Sequence, residues 1–218
     1  VQGAADMGCQ PHQGAGYFPV ADKKIQDFYT EKYGAIHPTK AGLKIPQIFD
    51  AAINKELKAL WIIGEDVVQT DPNSAHVAKA MNALDLLVVQ EIFMSETAKH
   101  ADVVLPGTTF LEKDGTFTNT ERRVQRVNKA AEPLPGTKPD GLIVTDMMQK
   151  LGYDQKSYDA DEVLAEIADV VPFFKGITRE RLGKLGLQWP VKEDGTDTKI
   201  LHEKEFKLGK GRIKYFDW

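Results

Sequence analysis

Three short apolar segments, separated by helical patterns, constrain the fold of this chain more than any other feature. They span residues 59–63, 86–90 and 103–105, and acidic, polar, proline or glycine residues follow each one. The middle segment is apolar up to its last residue, as in a parallel strand buried on both faces. Strands that alternate with helices form parallel sheets. We therefore predict an α/β fold with a Rossmann-like parallel sheet flanked by helices.

Amphipathic periodicity predicts the helices around this sheet. They are expected at residues 21–34, 45–57, 138–151 and 160–171. In the last of these, Val163, Ile167 and Val171 fall on the inward face. Asp71 and Pro72 predict the start of another helix, as an N-cap acid and a proline at the first helical position. Ser95 is expected to cap a short helix before the third strand.

A change of period after the third strand predicts a β-hairpin insertion at residues 116–127, with its turn near residues 119–122. Its arginines, Arg122, Arg123 and Arg126, carry guanidinium groups that can bind phosphates bidentately. A charged surface hairpin, with Glu121 neutralising one arginine, explains the same pattern and is favoured by the residues alone.

The two ends of the chain are expected to differ from the central sheet. Residues 1–20 are glycine-rich and are predicted to form an extended loop. Because the chain lacks a starting methionine, we expect it to be excised from a longer polypeptide. We place the α/β domain at residues 1–175, and we expect residues 176–218 to be a linker and the start of the following domain, with a final strand at residues 211–218.

Composition excludes several classes of function. The net charge is −4, which argues against a protein that holds nucleic acid through its backbone charge. No apolar run is long enough to span a bilayer, so direct membrane insertion is not expected. The single cysteine, Cys9, and five scattered histidines give no disulfide and no metal-ligand spacing. Glycine fingerprints of ordinary dinucleotide sites and Walker A loops are absent from the sequence.

Polar residues at the strand ends are the candidate site. Residues 64–66 and Thr70 lie between the first strand and a helix, where free N–H groups can meet an anion. Gln90 and Glu91 end the next strand, at a position that meets the ribose in dinucleotide folds. Asp140 is predicted as a helix N-cap and as an acceptor for a purine edge. From spacing alone, helix caps and solvated strand ends explain these residues as well.

Six stretches of the sequence carry a family resemblance. They are VQGAADMG at 1–8, GYFPV at 16–20, IIGEDVVQTDPN at 62–73, a long block at 86–133, KPD at 138–140 and LGLQWP at 185–190. Together they resemble the catalytic subunit of molybdenum- or tungsten-dependent formate dehydrogenases, in the dimethyl-sulfoxide-reductase superfamily. The block at 86–133 is the most specific part. The resemblance implies the α/β domain that holds one of two molybdopterin guanine dinucleotides in these subunits.

The resemblance also implies the site residues. The cofactor-binding set is Gly64, Glu65, Asp66, Thr70, Gln90, Glu91, Gly107 and Asp140. These residues are expected around the guanosine and pyrophosphate, with either Asp66 or Asp140 at the guanine edge. Glu91 stands where an aspartate is usual, and Gly107 often aligns with a serine, so only a backbone contact is expected there. Without the cofactor, Asp66, Glu91 and Asp140 are expected to lie close together with no hydrogen-bond donor.

For the whole protein, the resemblance implies formate oxidation to carbon dioxide at a bis-molybdopterin guanine dinucleotide with molybdenum or tungsten. The iron–sulfur cysteines, the metal ligand and the active-site arginine of the family fall in earlier parts of its polypeptide. This chain is therefore predicted to have no catalytic residue and no activity alone. Its expected partners are the remainder of its own polypeptide and an iron–sulfur electron-transfer subunit.

Three alternatives stay open at this stage. A related oxidoreductase of the nitrate reductase type would share the same domain, but the opening residues 1–8 and the segment 185–190 favour formate dehydrogenase. The non-catalytic iron–sulfur scaffold subunit of NADH dehydrogenase keeps this domain without molybdenum, yet the intact site acids favour a cofactor binder. The third alternative is a plain α/β domain whose acids cap helices.

Overall fold

The computed structural model describes residues 2–35, 37–192, 194–206 and 209, and in them short strands alternate with helices. The strands are β1 (Gln13–Gly14), β2 (Phe18–Pro19), β3 (Ala59–Ile63), β4 (Leu86–Glu91), β5 (Val103–Pro106), β6 (Gly115–Thr118), β7 (Arg123–Val127) and β8 (Leu187–Gln188). The α-helices are α1 (Gln2–Asp6), α2 (Lys23–Tyr33), α3 (Ile45–Ile53), α4 (Val67–Thr70), α5 (Ser74–Ala83), α6 (Asp140–Lys150), α7 (Ala160–Val170) and α8 (Arg179–Leu182). Single 3-10 turns occupy Ala15–Tyr17, Ala98–His100, Phe110–Glu112 and Pro172–Phe174.

Strands β3, β4 and β5 form the predicted parallel sheet, in that order. The register pairs Ile63 with Gln90 and Gln90 with Leu105, so the three strands end at one common edge. One face of the sheet packs against α3 and α5. Its core consists of Phe49, Ala52, Ile62, Val77, Ala80, Met81, Leu87, Val89 and Ala98. The other face is less covered, and Leu86 and Val103 on it are exposed. The α/β fold class is confirmed.

The predicted hairpin is also present, as β6 and β7, and β8 pairs with β7 from far along the chain. This antiparallel sheet lies in a second core, together with α7 and residues after 171. Its buried members are Tyr29, Val124, Leu164, Val170, Val171, Phe174, Ile177, Leu182, Trp189 and Val191. Residues 177–191 therefore pack into this core. The division of the chain at residue 175 stays a prediction, and the final strand predicted at 211–218 lies outside the described residues.

The helix predicted to start at Asp71 begins elsewhere. This region holds two helices, with Asp66 at the N-cap position of α4 and Asn73 at that of α5. The Asn73 carboxamide oxygen accepts from the His76 N–H at 3.3 Å, whereas Asp71 accepts from the Asn73 N–H at 2.9 Å. Asp71 thus closes a turn around Pro72. Asn73, the next residue with an accepting side chain, is the N-cap of α5. Ser95, predicted to cap a short helix, accepts from the Ala98 N–H at 3.2 Å, but the element there is a single 3-10 turn with Thr97 at its N-cap position.

The opening twenty residues do not form the predicted extended loop. Helix α1 places Asp6 in the interior, where it accepts from Gln2 at 2.8 Å, from the Tyr17 hydroxyl at 2.7 Å and from the Trp189 indole at 2.8 Å. Burial, reinforced by the hydrogen bond to Asp6, raises the pKa of Tyr17 to about 12. The segment folds because its polar groups find buried partners, which composition does not reveal.

The buried face of helix α7 differs from its predicted inward face at one position. Val163 is exposed, and the neighbouring Leu164 is buried in its place. Ile167 packs against the second core, and Val171 is fully buried at the end of the helix, as expected. A shift of one residue turns a helix by about 100°, so Leu164, Ile167 and Val171 share the buried stripe. None of the described helices has the length and apolar content needed to span a bilayer.

Candidate functional site

The carboxyl ends of the parallel strands bring most of the predicted site residues to one edge. The Gly64 N–H donates to the Gln90 carbonyl oxygen at 2.9 Å, and the Gly107 N–H donates to the Glu91 carbonyl oxygen at 3.0 Å. Gly64 has a φ of +63°, a conformation that glycine adopts without strain. Open α/β sheets bind ligands in the crevice beyond this edge.

Asp140 stands at the centre of one polar cluster on this edge. It is the first residue of α6, after Pro139 at the N-cap position, so its prediction as the N-cap is wrong by one residue. The Gln90 Nε2 donates to Asp140 Oδ1 at 2.7 Å. Lys113 pairs with Asp140 Oδ2, and it also donates to the Thr108 carbonyl oxygen at 3.1 Å. Burial opposes ionisation of Asp140, but the hydrogen bonds from Lys113 and Gln90 outweigh it and hold its pKa below the ordinary value.

Buried polar atoms without partners surround this cluster. Among the described residues, Gln90 Oε1 and Thr108 Oγ1 are buried and make no hydrogen bond. Such atoms are costly unless a ligand or ordered water pairs with them. A Cβ at Gly107 would lie 3.1 Å from Asp140 Oδ1. Glycine at this position therefore allows the end of β5 to lie close to the start of α6. These features fit a polar ligand at this edge.

Asp66 forms a second cluster, between the loops that follow β3 and β4. Its Oδ1 accepts from the Thr97 N–H at 2.8 Å and from the Thr97 hydroxyl at 2.6 Å, and its Oδ2 accepts from the Glu96 N–H at 3.3 Å. Burial opposes the charge, but these hydrogen bonds lower the pKa of Asp66. Next to it, the Thr70 hydroxyl donates to Glu65 Oε1 at 2.7 Å.

The expectation that the site acids lack donors is therefore wrong. Asp66 is bonded by Thr97, Asp140 is bonded by Gln90 and Lys113, and Glu91 Oε1 accepts from the Ile92 N–H at 2.7 Å. The physical reason is that carboxylates at a half-buried strand end are stable only with donors, so neighbouring loops supply them. The acids divide into two clusters, one around Asp66 and the other around Asp140.

Sequence reasoning missed the residues that hold these acids. Thr97 lies two residues after the capping serine, and Lys113 lies in a charged turn; neither position carries a distinctive spacing. Thr108 could have been predicted from the sequence, because it directly follows Gly107, a predicted site residue just after the end of β5.

The hairpin arginines bond to the protein itself. Arg122 donates to the carbonyl oxygens of Trp189 and Thr198, the latter at 3.1 Å. Arg123 pairs with Glu121 at 2.8 Å, as the surface-hairpin interpretation expects. Arg126 donates to a neighbouring asparagine. The hairpin thus uses its arginines to fasten β7 to the later part of the chain.

A cavity of about 320 Å³ opens beside the Asp140 cluster. Its charged lining residues are Lys113, Asp114 and Asp140, and Phe117, Tyr158 and Val163 contribute to its apolar walls. Asp66 does not line this cavity. Within the described ranges, no group of three or more histidine, cysteine, aspartate or glutamate residues could hold a metal ion. The chemistry available here is binding through hydrogen bonds and charge.

Comparisons with known proteins give a consistent picture. The model of the molybdopterin oxidoreductase family matches residues 4–150. The F420-dependent formate dehydrogenase subunit alpha of Methanocaldococcus jannaschii is 44% identical over 99% of this chain and 32% of its own length. A Staphylococcus haemolyticus protein that bears the name "Putative formate dehydrogenase SH0748" is 44% identical over 99% of this chain and 22% of its own length. The chain thus spans about a fifth to a third of these relatives.

Among solved structures, acetylene hydratase from Pelobacter acetylenicus resembles the chain with a TM-score of 0.53 and 21% identity. The match covers 72% of this chain and 22% of the hydratase chain. At that identity the similarity concerns the fold, and it agrees with a parallel sheet flanked by helices.

Proposed function

The chain belongs to the molybdopterin oxidoreductase family, and from this premise we propose that it forms part of the cofactor site of a formate dehydrogenase. The family implies a molybdopterin cofactor. Relatives at 40–44% identity bear the name formate dehydrogenase, which supports formate over the substrates of the nitrate reductase type and over a scaffold role in NADH dehydrogenase. The finer assignment is that this chain binds the guanine dinucleotide end of the cofactor.

One observation carries this proposal: the ends of three parallel strands lie side by side at the carboxyl edge, and Asp140 joins them there. Gln90 bonds to Asp140 at 2.7 Å, and its carbonyl accepts from Gly64 at 2.9 Å. Nucleotides bind open α/β sheets at this edge because the loops there differ in direction and leave a crevice. The unpartnered Gln90 Oε1 and Thr108 Oγ1 support the presence of a polar ligand.

Asp140 and Lys113 suit the guanine edge. Guanine presents a carbonyl oxygen that accepts and an amino group that donates. A carboxylate can only accept and an ammonium can only donate, so this pair matches both positions. Adenine has an amino group in place of that oxygen, so the lysine would face a donor. We therefore place the guanine at Asp140, which has a lysine donor beside it, rather than at Asp66, whose donors are Thr97 and a backbone N–H.

The remaining predicted residues complete the proposed cradle. Gly64 and Gly107 offer backbone close to the ligand without side chains, and Glu91 has an acceptor for ribose hydroxyls. The Thr70 hydroxyl donates its one proton to Glu65 at 2.7 Å, so it is a donor to the pyrophosphate only after turning away from that carboxylate. When bound, the molybdenum or tungsten of the cofactor supplies the two-electron oxidation of formate, and an iron–sulfur subunit is the proposed acceptor. This chain binds and orients the nucleotide, and we expect no formate oxidation from it alone.

The test is the nucleotide content of the complete polypeptide that carries this sequence. Asp140→Ala removes the proposed guanine acceptor and should lower the guanosine nucleotide and pterin retained per polypeptide by about tenfold, since a hydrogen bond to a charged group contributes about 1.5–3 kcal/mol. Asp146→Ala is the matched control, because Asp146 lies on the same helix and also pairs with a lysine. Retention of wild-type nucleotide content by a folded Asp140→Ala protein would refute the proposal.

A further inference from the structure

We propose that Thr97 is a positioning residue of this nucleotide site and that it acts through Asp66, an inference that rests on the proposed function. Among the predicted site residues that the structure describes, Asp66 is the one to which Thr97 forms hydrogen bonds. Its contribution is to fix the loop after β3, which carries half of the proposed ligand residues, against the loop after β4.

The hydrogen bonds of Thr97 are complete and specific. The residue is 0% exposed although it is polar. Its hydroxyl donates to Asp66 Oδ1 at 2.6 Å and accepts from the Val68 N–H at 3.0 Å. Its own N–H donates to the same Oδ1 at 2.8 Å. A hydroxyl that donates and accepts at once fixes both partners, so Thr97 sets the position of the carboxylate and of the first turn of α4.

This link joins two otherwise exposed loops. The strands that precede them are held in register, with Ile63 opposite Gln90, but Gly64 and Glu65 beyond β3 are exposed. Exposed loops without buried contacts have low local stability and sample several conformations. The bond between Asp66 and Thr97 closes a ring from β3 through both loops back to β4. Such preorganisation lowers the entropy that a ligand must remove on binding.

The link also fixes the charge on Asp66. Burial raises the pKa of this carboxyl group, and the hydrogen bonds from Thr97 and Glu96 more than offset that effect. Oδ1 is held by both Thr97 bonds, whereas Oδ2 has a single 3.3 Å bond from the Glu96 N–H. An ionised carboxylate accepts at about four lone-pair sites, so Oδ2 retains acceptor capacity at the edge of the nucleotide site.

The experiment compares nucleotide retention among variants of the complete polypeptide. Thr97→Val keeps the shape but removes the hydroxyl, and it should lower the retained guanosine nucleotide by about fivefold to tenfold. Thr97→Ser keeps the hydroxyl and should restore retention to within about twofold. If Thr97 acts through Asp66, the double variant Thr97→Val/Asp66→Asn should retain no less nucleotide than Asp66→Asn alone. Thr120→Val, at an exposed threonine of the hairpin turn, is the matched control.

Each other outcome decides against one of the two proposals. Wild-type retention in Thr97→Val, failure of Thr97→Ser to restore it, or additive losses in the double variant would overturn the positioning role while Asp140→Ala still loses nucleotide. Wild-type retention in Asp140→Ala would instead overturn the proposed function. If Thr97→Val does not fold, Asp66→Asn and Asp66→Ala test the same bond from its other end, since asparagine keeps an acceptor for Thr97 and alanine does not. Higher nucleotide retention in Asp66→Asn than in Asp66→Ala is expected, and equal retention would overturn the positioning role.

Discussion

At the scale of single residues, Lys113 supplies the positive charge of the Asp140 cluster. The side chains of Lys113 and Asp140 are 26% and 41% exposed, so water screens their attraction. Exposed ion pairs contribute at most about 1 kcal/mol to stability. The pair therefore does little to drive folding, and its main effect is to orient Asp140 and keep it ionised at the strand ends.

Lys113→Met should show this in the pH dependence of stability. The folded-state pKa of Asp140 is lowered, so its stabilisation is present above the ordinary carboxyl pKa and is lost as the pH falls through the folded value. We expect Lys113→Met to lower the free energy of unfolding by about 0.5–1 kcal/mol at neutral pH and by less near pH 3. Denaturant unfolding at both pH values measures the difference. Lys55→Met is the control, because Lys55 donates to a carbonyl and not to an acid; an equal loss at both pH values for Lys113→Met would contradict the expected role.

The sequence indicated the site acids but not the side chains that hold them. Asp66 and Gln90 are visible because polar residues at the ends of apolar strands gather at one edge of a parallel sheet. Asp140 is visible because it stands at the start of a predicted helix. Thr97 and Lys113 are not visible, since a threonine or lysine in a turn has many alternative partners. Which partner it takes depends on how two loops pack, and spacing along the chain does not encode that.

At the scale of elements, periodicity predicted the existence of the sheet, the hairpin and the main helices, whereas caps decided their boundaries. Helix α5 begins after Asn73 because the turn closed by Asp71 comes first. Helix α7 was placed correctly along the chain, but Leu164 rather than Val163 is buried, because both are apolar and only packing distinguishes them. The local sequence pattern thus predicts whether an element is a helix or a strand, and tertiary contacts determine which of its faces is buried.

Helix α6 offers a test of packing between elements. A Cβ at Gly141, in the first turn of α6, would lie 2.3 Å from the Tyr158 ring. Glycine to alanine normally stabilises a helix by about 1 kcal/mol, but here we expect Gly141→Ala to destabilise the protein by about 1–3 kcal/mol through overpacking. Thermal unfolding measures this effect. Gly115→Ala is the control, because the added Cβ meets nothing within 4 Å; an unchanged or raised melting temperature for Gly141→Ala would show that Tyr158 moves freely.

At the scale of the whole molecule, two cores are described, one under the parallel sheet and one around the hairpin. The second core brings the beginning and the later part of the chain together through Asp6 and Trp189, which are 183 residues apart in sequence. No local pattern predicts such a contact, and for this reason the opening residues were expected to form a loop. The chain spans only 22–32% of the formate dehydrogenase relatives it matches, so the enzyme activity belongs to the proposal for the larger protein.

Asp6→Ala tests this long-range connection. The substitution leaves the buried Trp189 Nε1 without its acceptor and also frees the Tyr17 hydroxyl. We expect a loss of about 2–3 kcal/mol in the free energy of unfolding, from unpaired buried donors. Tyr17→Phe, which removes one of the donors and keeps the aromatic ring, provides the comparison by denaturant unfolding. Asp6→Ala should lower the free energy of unfolding by more than this comparison variant does. A loss below about 0.5 kcal/mol for Asp6→Ala would show that the contact between Asp6 and Trp189 does not stabilise the fold.

Amide hydrogen exchange on the complete polypeptide, prepared with and without molybdopterin cofactor, tests the central claim most directly. The claim is that the carboxyl edge of the parallel sheet holds the nucleotide end of the cofactor. We predict slower exchange with the cofactor in peptides that cover residues 64–70, 90–97 and 107–113, and unchanged exchange at the opposite edge, near residues 84–86 and 101–103. Equal exchange with and without cofactor at all three carboxyl-edge segments would contradict the account.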